Sequence, residues 1–311
     1  MSVPIKIGTR ASQLALWQAE WVASEIEKRH VGTEVELVKI KTTGDKITDV
    51  PLAQVGGKGL FVKEIEEALL SGEVDLAVHS MKDVPTYFPD GLELRAITDR
   101  EDARDALLSR DNVKLLDLPD GARIGTSSLR RQSQLLCLKP ELEILPLRGN
   151  LDTRIRKLEE GEYDAIILAA AGINRLGWAG KITEYISPAI MLPAIGQGAL
   201  GIETRIGDER IIDVVDSFND ESTSYAVRAE RALLKRLEGG CQVPIAAYGT
   251  VYKNTVSLTG LVASTDGNTV IKDIIEGNVS RAEELGVMLA ESLLEAGGTE
   301  ILKEFYGTEV E

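Results

Sequence analysis

Cys241 lies between Gly239-Gly240 and Gln242-Val243-Pro244, in a chain of 311 residues with one other cysteine. Glycines before a thiol remove crowding side chains and a proline fixes the exit of the turn, so this sulfur could be presented to a ligand. A small hydrophobe filling a gap is the other reading of the same residues. Cys137, in Leu135-Leu136-Cys137-Leu138, occupies a core-like position of an apparent helix and reads as packing. Between residues 123 and 156 the chain carries Arg123, Arg130, Arg131, Lys139, Arg148, Arg154 and Arg156 against Glu141, Glu143 and Asp152. Guanidinium is the planar, bidentate partner of carboxylate and phosphate, so this cluster points either to a small polyanionic ligand or to a solvated face. A third candidate is Asp83, in His79-Ser80-Met81-Lys82-Asp83-Val84-Pro85. The apolar run 74–78 before it reads as a strand, which puts Lys82 and Asp83 at the carboxyl end where α/β folds place their chemistry. A carboxylate there can cap the next turn, or it can stabilise a cation formed beside it. His79 reads as an interior histidine with a satisfied hydrogen bond rather than as a base.

The elements that must position these residues repeat along the first two hundred positions. Lys6-Ile7-Gly8-Thr9-Arg10-Ala11-Ser12 leads into an amphipathic helix with Leu14, Trp17, Trp21 and Val22 on one face. Arg123-Ile124-Gly125-Thr126-Ser127-Ser128 leads into another with Leu129, Leu135 and Leu136. Both read as strand, small-residue turn, helix. Gly72-Glu73-Val74-Asp75-Leu76-Ala77-Val78 is echoed by Gly161-Glu162-Tyr163-Asp164-Ala165-Ile166-Ile167, each opening an apolar run of the kind seen in buried parallel strands. Two tandem α/β units over about 1–100 and 101–199 follow, with ligands expected at the carboxyl ends of their strands. The segment 196–206 reads as a return to the first unit, giving two crossings and a hinge. Phe61, Val62, Ile65, Ala68 and Leu69 form an apolar stripe opposite Lys63, Glu64, Glu66 and Glu67, the pattern of a packed surface helix. From about 217 a smaller α+β region is expected: a helix over 224–237, strands near 245–252, 256–262 and 269–275, and a helix over 281–295.

Composition excludes several classes. A net charge of −15 argues against nucleic acid or an anionic membrane surface as partner. No run approaches the roughly 20 apolar residues of a membrane span, and Met1-Ser2-Val3-Pro4-Ile5-Lys6 lacks a signal-peptide pattern, so a cytoplasmic protein is expected. Two cysteines with only His30 and His79 give no metal-ligand spacing, and no metal is expected. Gly196-Gln197-Gly198-Ala199-Leu200-Gly201 matches the dinucleotide fingerprint formally, but it precedes a strand instead of opening a helix. Gly56-Gly57-Lys58-Gly59 lacks the hydroxyl residue after lysine that a phosphate loop needs. No nucleotide is expected.

Taken in order, Ile7-Gly8-Thr9-Arg10-Ala11-Ser12, Val55-Gly56-Gly57-Lys58-Gly59-Leu60-Phe61, Ala77 through Pro85, Gly125-Thr126-Ser127-Ser128-Leu129-Arg130-Arg131, Arg148-Gly149-Asn150 with Arg154, Leu192-Pro193-Ala194-Ile195-Gly196-Gln197-Gly198 and Gly240-Cys241 resemble porphobilinogen deaminase, or hydroxymethylbilane synthase. The resemblance implies two tandem α/β domains like type II periplasmic-binding-protein lobes with a central cleft, plus a small C-terminal α+β domain. Their extents would be 1–100 with 200–216, 101–199 and 217–311. It implies a transferase of tetrapyrrole and heme biosynthesis that joins four porphobilinogens head to tail and releases ammonia each time. Cys241 would carry a dipyrromethane cofactor as a thioether, with Lys82, Ser128, Arg130, Arg131 and Arg154 binding it. Arg10, Ser12, Gln18, Arg148 and Arg175 would bind substrate, Asp83 would be catalytic, and Asp45 and Lys58 would belong to a mobile loop that Gln18 helps position. A monomer is implied, with transient handover to the next pathway enzyme. As cleft residues, Arg131 and Arg148 are expected to contribute little to stability. A non-catalytic two-lobe carboxylate-binding protein is the alternative, with no use for Cys241.

Overall fold

The computed structural model describes residues 4–46, 62–238 and 243–306. Lys58 and Cys241 lie outside the described residues, as does the side chain of Asp45. The chain divides into two compact units, Met1–Glu101 with Ala199–Ser224 and Asp102–Gly198 with Tyr225–Glu311. Among the described residues no helix is long and apolar enough to cross a membrane.

In the first unit β1 (Ile5–Thr9), α1 (Gln13–Arg29), β2 (Val35–Lys39), α2 (Lys63–Ser71), β3 (Leu76–Ser80) and β4 (Leu92–Ile97) follow one another. In the second come β5 (Asp105–Ser109), β6 (Arg123–Gly125), α3 (Leu129–Leu138), β7 (Glu143–Leu145), α4 (Leu151–Glu159), β8 (Ala165–Ala169), α5 (Ala170–Arg175) and β9 (Glu184–Ile186). Then β10 (Leu200–Arg205) returns to the first sheet, whose order is β2-β1-β3-β10-β4, while the second is β7-β6-β8-β5-β9. The two sheets share one plan. Strands β1, β2 and β3 run parallel, as do β6, β7 and β8, and in each sheet the fourth strand, β10 or β5, runs against both neighbours. Of the segment 196–206, Leu200–Arg205 forms the strand laid between β3 and β4, and the first unit resumes at Ala199.

Burial follows from this layering. Strands β3 and β8 are buried at four of five positions because helices cover both faces of their sheets. On the first sheet α1 packs Ala19, Val22 and Ile26 against Ile7, Leu76, Val78 and Ile202, and α2 packs Ile65, Ala68 and Leu69 against Ala77 on the other face. Three sequence expectations differ from what is observed. The buried face of α1 is Gln18, Ala19, Val22 and Ile26, not the Leu14/Trp17/Trp21 face, because the sheet meets the helix about one position round. Glu66 is buried with the apolar side of α2 rather than exposed opposite it. Cys137 is exposed: it falls in the last turn of α3, where Leu138 is exposed too.

After α6 (Glu209–Val215), α7 (Glu221–Arg236) precedes an antiparallel meander of β11 (Ile245–Tyr252), β12 (Thr255–Ala263) and β13 (Val270–Asn278). Its core joins Ala229, Leu233 and Leu237 from α7 and its exit to Leu285, Leu289 and Leu293 of α8 (Ala282–Leu293). A further helix, α9 (Thr299–Tyr306), follows a kink at Gly297 that the glycine pair predicted only as an end.

Candidate active site

The first unit gathers its candidate residues where β1 and β3 end. Beyond β1, Ser12 caps α1, its hydroxyl accepting from the Ala15 amide at 3.3 Å, which aims the positive end of a 17-residue helix at the same place. Beyond β3, a single 3₁₀ turn, Met81–Asp83, buries Met81 and leaves Lys82 half-buried and Asp83 exposed. Arg10, Ser12, Gln18, His79 and Asp83 all line one recess here. Gln18 is buried beneath it, its Nε2 donating to Ser80 Oγ at 2.9 Å. His79 is buried with Nε2 2.8 Å from Glu203 Oε2, the satisfied interior histidine expected from its sequence context.

In the second unit the same strand ends carry the arginines. The end of β6 requires Gly125, where an added Cβ would fall 2.9 Å from Tyr163 Cδ1 and 3.1 Å from Leu147 Cδ2. Ser127 then fixes the turn by donating to the Leu147 carbonyl at 3.0 Å. Ser128 occupies the N-cap of α3 without using its side chain as a cap. After β7, Gly149 turns the chain into α4 with φ 108°, and Arg154 Nε donates back to its carbonyl at 2.7 Å. Arg148 and Arg154 are both half-buried at the head of α4. Arg175 ends α5, with Nη2 donating to the Gly198 carbonyl at 2.6 Å.

Arg130 and Arg131 are placed differently. Both are buried against Asp105, which is 0% exposed and accepts from Arg130 Nη1 at 2.7 Å and from Arg131 Nη2 at 2.7 Å. Gln197 Nε2 adds a third donor at 3.0 Å. Arg130 also donates to the Leu192 carbonyl and Arg131 to that of Ile167. Burial by itself would raise the Asp105 carboxyl, but the charges of the two arginines and their hydrogen bonds hold it well below the usual carboxylate range. The expectation that Arg131 contributes little to stability is therefore corrected, because its guanidinium is part of a buried ionic cluster and not a solvated cleft wall. Two cations on one anion leave that cluster with a net positive charge.

Residues 5–213 match the family model described as porphobilinogen deaminase, dipyromethane cofactor binding domain, and residues 224–295 match the porphobilinogen deaminase C-terminal domain. The porphobilinogen deaminase of Geobacter metallireducens is 64% identical over 306 residues, covering 98% of this chain and 96% of that protein. That of Pelobacter propionicus is 60% identical and covers 98% of each. The chain belongs to the porphobilinogen deaminase family. It is accordingly a transferase built around a dipyrromethane cofactor, and the non-catalytic binding protein is not favoured. Among solved structures, the probable amino-acid ABC transporter extracellular-binding protein ytmK of Bacillus subtilis is 14% identical, covers 70% of this chain and 90% of its own, and gives a TM-score of 0.40.

Sequence reasoning missed three buried groups that bond to the candidate residues or to the loop before β10. Asp105 carried no local signal beyond being an acid near arginines. Gln197 sits in the glycine-flanked segment before β10, and its side chain is 1% exposed and bonded to both Ala103 and Asp105. Glu230, on the buried side of α7, accepts from the amides of Gly196 at 2.6 Å and Gly249 at 2.8 Å, tying that loop to β11. The place of Glu230 in the otherwise apolar helical stripe of Ala226, Val227, Leu233 and Leu237 was the readable clue.

Proposed function

We propose that the recess of the first unit is where each porphobilinogen loses ammonia, with Asp83 as the catalytic carboxylate and Cys241 as the thioether anchor of the dipyrromethane. The observation that carries this reading is that Asp83 and Arg10 line one recess at the head of α1. Porphobilinogen brings an acetate, a propionate and an aminomethyl group. Its carboxylates suit Arg10, Ser12 and the helix N-terminus, through charge-assisted bonds and the helix dipole. When its carbon–nitrogen bond breaks, ammonia leaves with the electron pair and the positive charge is shared with the pyrrole nitrogen. A fixed carboxylate at Asp83 lowers the barrier to that cation. The new carbon–carbon bond then forms and the attacked pyrrole carbon gives up its proton. Four such steps and release by water give the linear tetrapyrrole hydroxymethylbilane.

The second unit supplies what the cofactor requires. A dipyrromethane carries four carboxylates, and the heads of α3 and α4 combine helix N-termini with Ser128, Arg148 and Arg154, a donor set that fits such an anion. When bound, the cofactor offers the free pyrrole carbon to which the first substrate is joined. Arg130 and Arg131 contribute the net positive charge of their cluster, and Lys82 and Arg175 act as further donors. Leu237 and Val243, both buried, anchor the chain on either side of Cys241. Asp45 and Lys58 are assigned to a loop that shifts as the product chain grows, and Gln18 is held by Ser80 beneath the recess. A cytoplasmic monomer that passes its product to the next pathway enzyme completes the reading.

The test is Asp83→Asn, which keeps the size of the side chain and removes its charge. Ammonia and tetrapyrrole formation, measured at equal cofactor content, should fall by on the order of a hundredfold, the loss typical of a preorganised electrostatic group. Asp83→Glu should retain more activity. Equal rates for the Asn variant and wild type would return Asp83 to the capping of its turn.

A further inference from the structure

Beside the recess, the first unit buries two carboxylates and an imidazole in one cluster. Glu203 on β10 is 1% exposed, Glu66 on α2 is 8% and His79 on β3 is 6%. Strand alternation explains the shared face: Ile202 and Val78 turn towards α1, so Glu203 and His79 turn towards α2. His79 Nε2 meets Glu203 Oε2 at 2.8 Å, while Glu203 Oε1 and Glu66 Oε1 are buried without a hydrogen-bond partner among the described residues. Two ionised carboxylates in so dry a place are costly, and protonation of one of them removes most of that cost.

Among the described residues, the cations of β10, β4 and α2 are paired elsewhere. Arg205 on β10 is engaged by Asp75 and Asp208, and Arg95 on β4 by Glu93 and Asp216. On α2 itself, Lys63 pairs with Glu67, and Glu64 accepts from the Thr43 amide. Lys6 on β1 and the recess residues Arg10 and Asp83 are the remaining charged groups of the elements that meet here. Burial first, and then the charge of Glu203, push the Glu66 carboxyl up to about 7, with His79 and Glu67 exerting smaller and opposite effects.

We propose that Glu66, Glu203 and His79 form a buried proton-holding site that meets the recess through His79, with Glu66 and Glu203 acting as positioning residues for the reaction there. Its link to turnover rests on the reading of the recess as the place where ammonia leaves. Loss of the proton adds negative charge beside a developing cation, so turnover should rise as pH increases through neutrality.

The chain has two histidines, His30 and His79, which makes the site directly observable in the holoenzyme by carbon-13 NMR. With labelled histidine and glutamate, one glutamate carboxyl should titrate with a midpoint near pH 7, and the His79 ring shifts should report the same step. In Glu66→Gln that step should vanish from His79 and leave His30 unaltered, and the pH profile of kcat should lose its inflection near 7. A wild-type spectrum with every glutamate carboxyl titrating in the ordinary range would overturn the proposal, with no variant required. So would a His79 titration identical in wild type and Glu66→Gln. These spectra need no porphobilinogen, so their failure sinks the proton site alone, whereas full activity in Asp83→Asn would sink the assignment of the recess alone.

Discussion

Replacing Asp105 with Asn leaves Arg130 and Arg131 buried beside one another without a counter-charge. Their guanidiniums keep their bonds to the Leu192 and Ile167 carbonyls, but the carboxylate that each meets at 2.7 Å becomes neutral. Breaking a buried ion pair by removing one partner costs about 3–5 kcal/mol, and here one carboxylate serves two cations at 0% exposure. At roughly 2–4 °C per kcal/mol for a unit of this size, the melting temperature should fall by on the order of 10 °C. Arg131→Leu should cost less, since Arg130 still neutralises Asp105, and Arg148→Leu, at a half-buried position, should move melting little. The pH dependence follows from the depressed carboxyl of Asp105. A group whose pKa is lowered by folding stabilises the native state above its unfolded value of about 3.9, and that contribution is lost as pH falls through the folded value. The gap between wild type and Asp105→Asn should therefore be constant between about pH 5 and 8 and narrow only in strong acid. Calorimetry across that range is the assay. A melting temperature for Asp105→Asn equal to wild type at pH 7 would refute the claim that this cluster is a buried ionic core.

Intact and peptide mass spectrometry of freshly purified protein should find two linked pyrrole units on Cys241 and none on Cys137, although Cys137 is the exposed thiol among the described residues. Cys241→Ser should lose the adduct and turnover while remaining folded, and a bare-sequence mass in active enzyme would end the covalent-cofactor reading. Gly125→Ala should destabilise by about 1–3 kcal/mol in urea titration, the usual cost of overpacking, because its Cβ would press on Tyr163, Ile166 and Leu147.

Local pattern made most of the architecture legible. The duplicated strand–turn–helix openings at Gly8 and Gly125, the matching strands after Gly72 and Gly161, and the three strands of the last sheet all depend on periodicity and turn chemistry within a few residues. The ordered motifs did the same for family and cofactor, since each is a contiguous string. The positions of Arg10, Ser12 and Asp83 were legible for a related reason: they follow the strand ends of β1 and β3.

What the tertiary structure alone decided is the role of side chains whose partners are distant in sequence. Gln18 is buried because Ser80, 62 residues on, satisfies its amide. Glu66 borders the apolar stripe of α2, and it is buried where β10 brings Glu203 to His79 from 124 residues away. Arg130 and Arg131 read as equals of Arg148 until Asp105 is folded against them. A side chain's type and spacing fix which elements can form, because those forces act locally. Its charge state, burial and energetic weight are set by the dielectric and the partners that packing assembles around it, and these exist only once the sheets have closed.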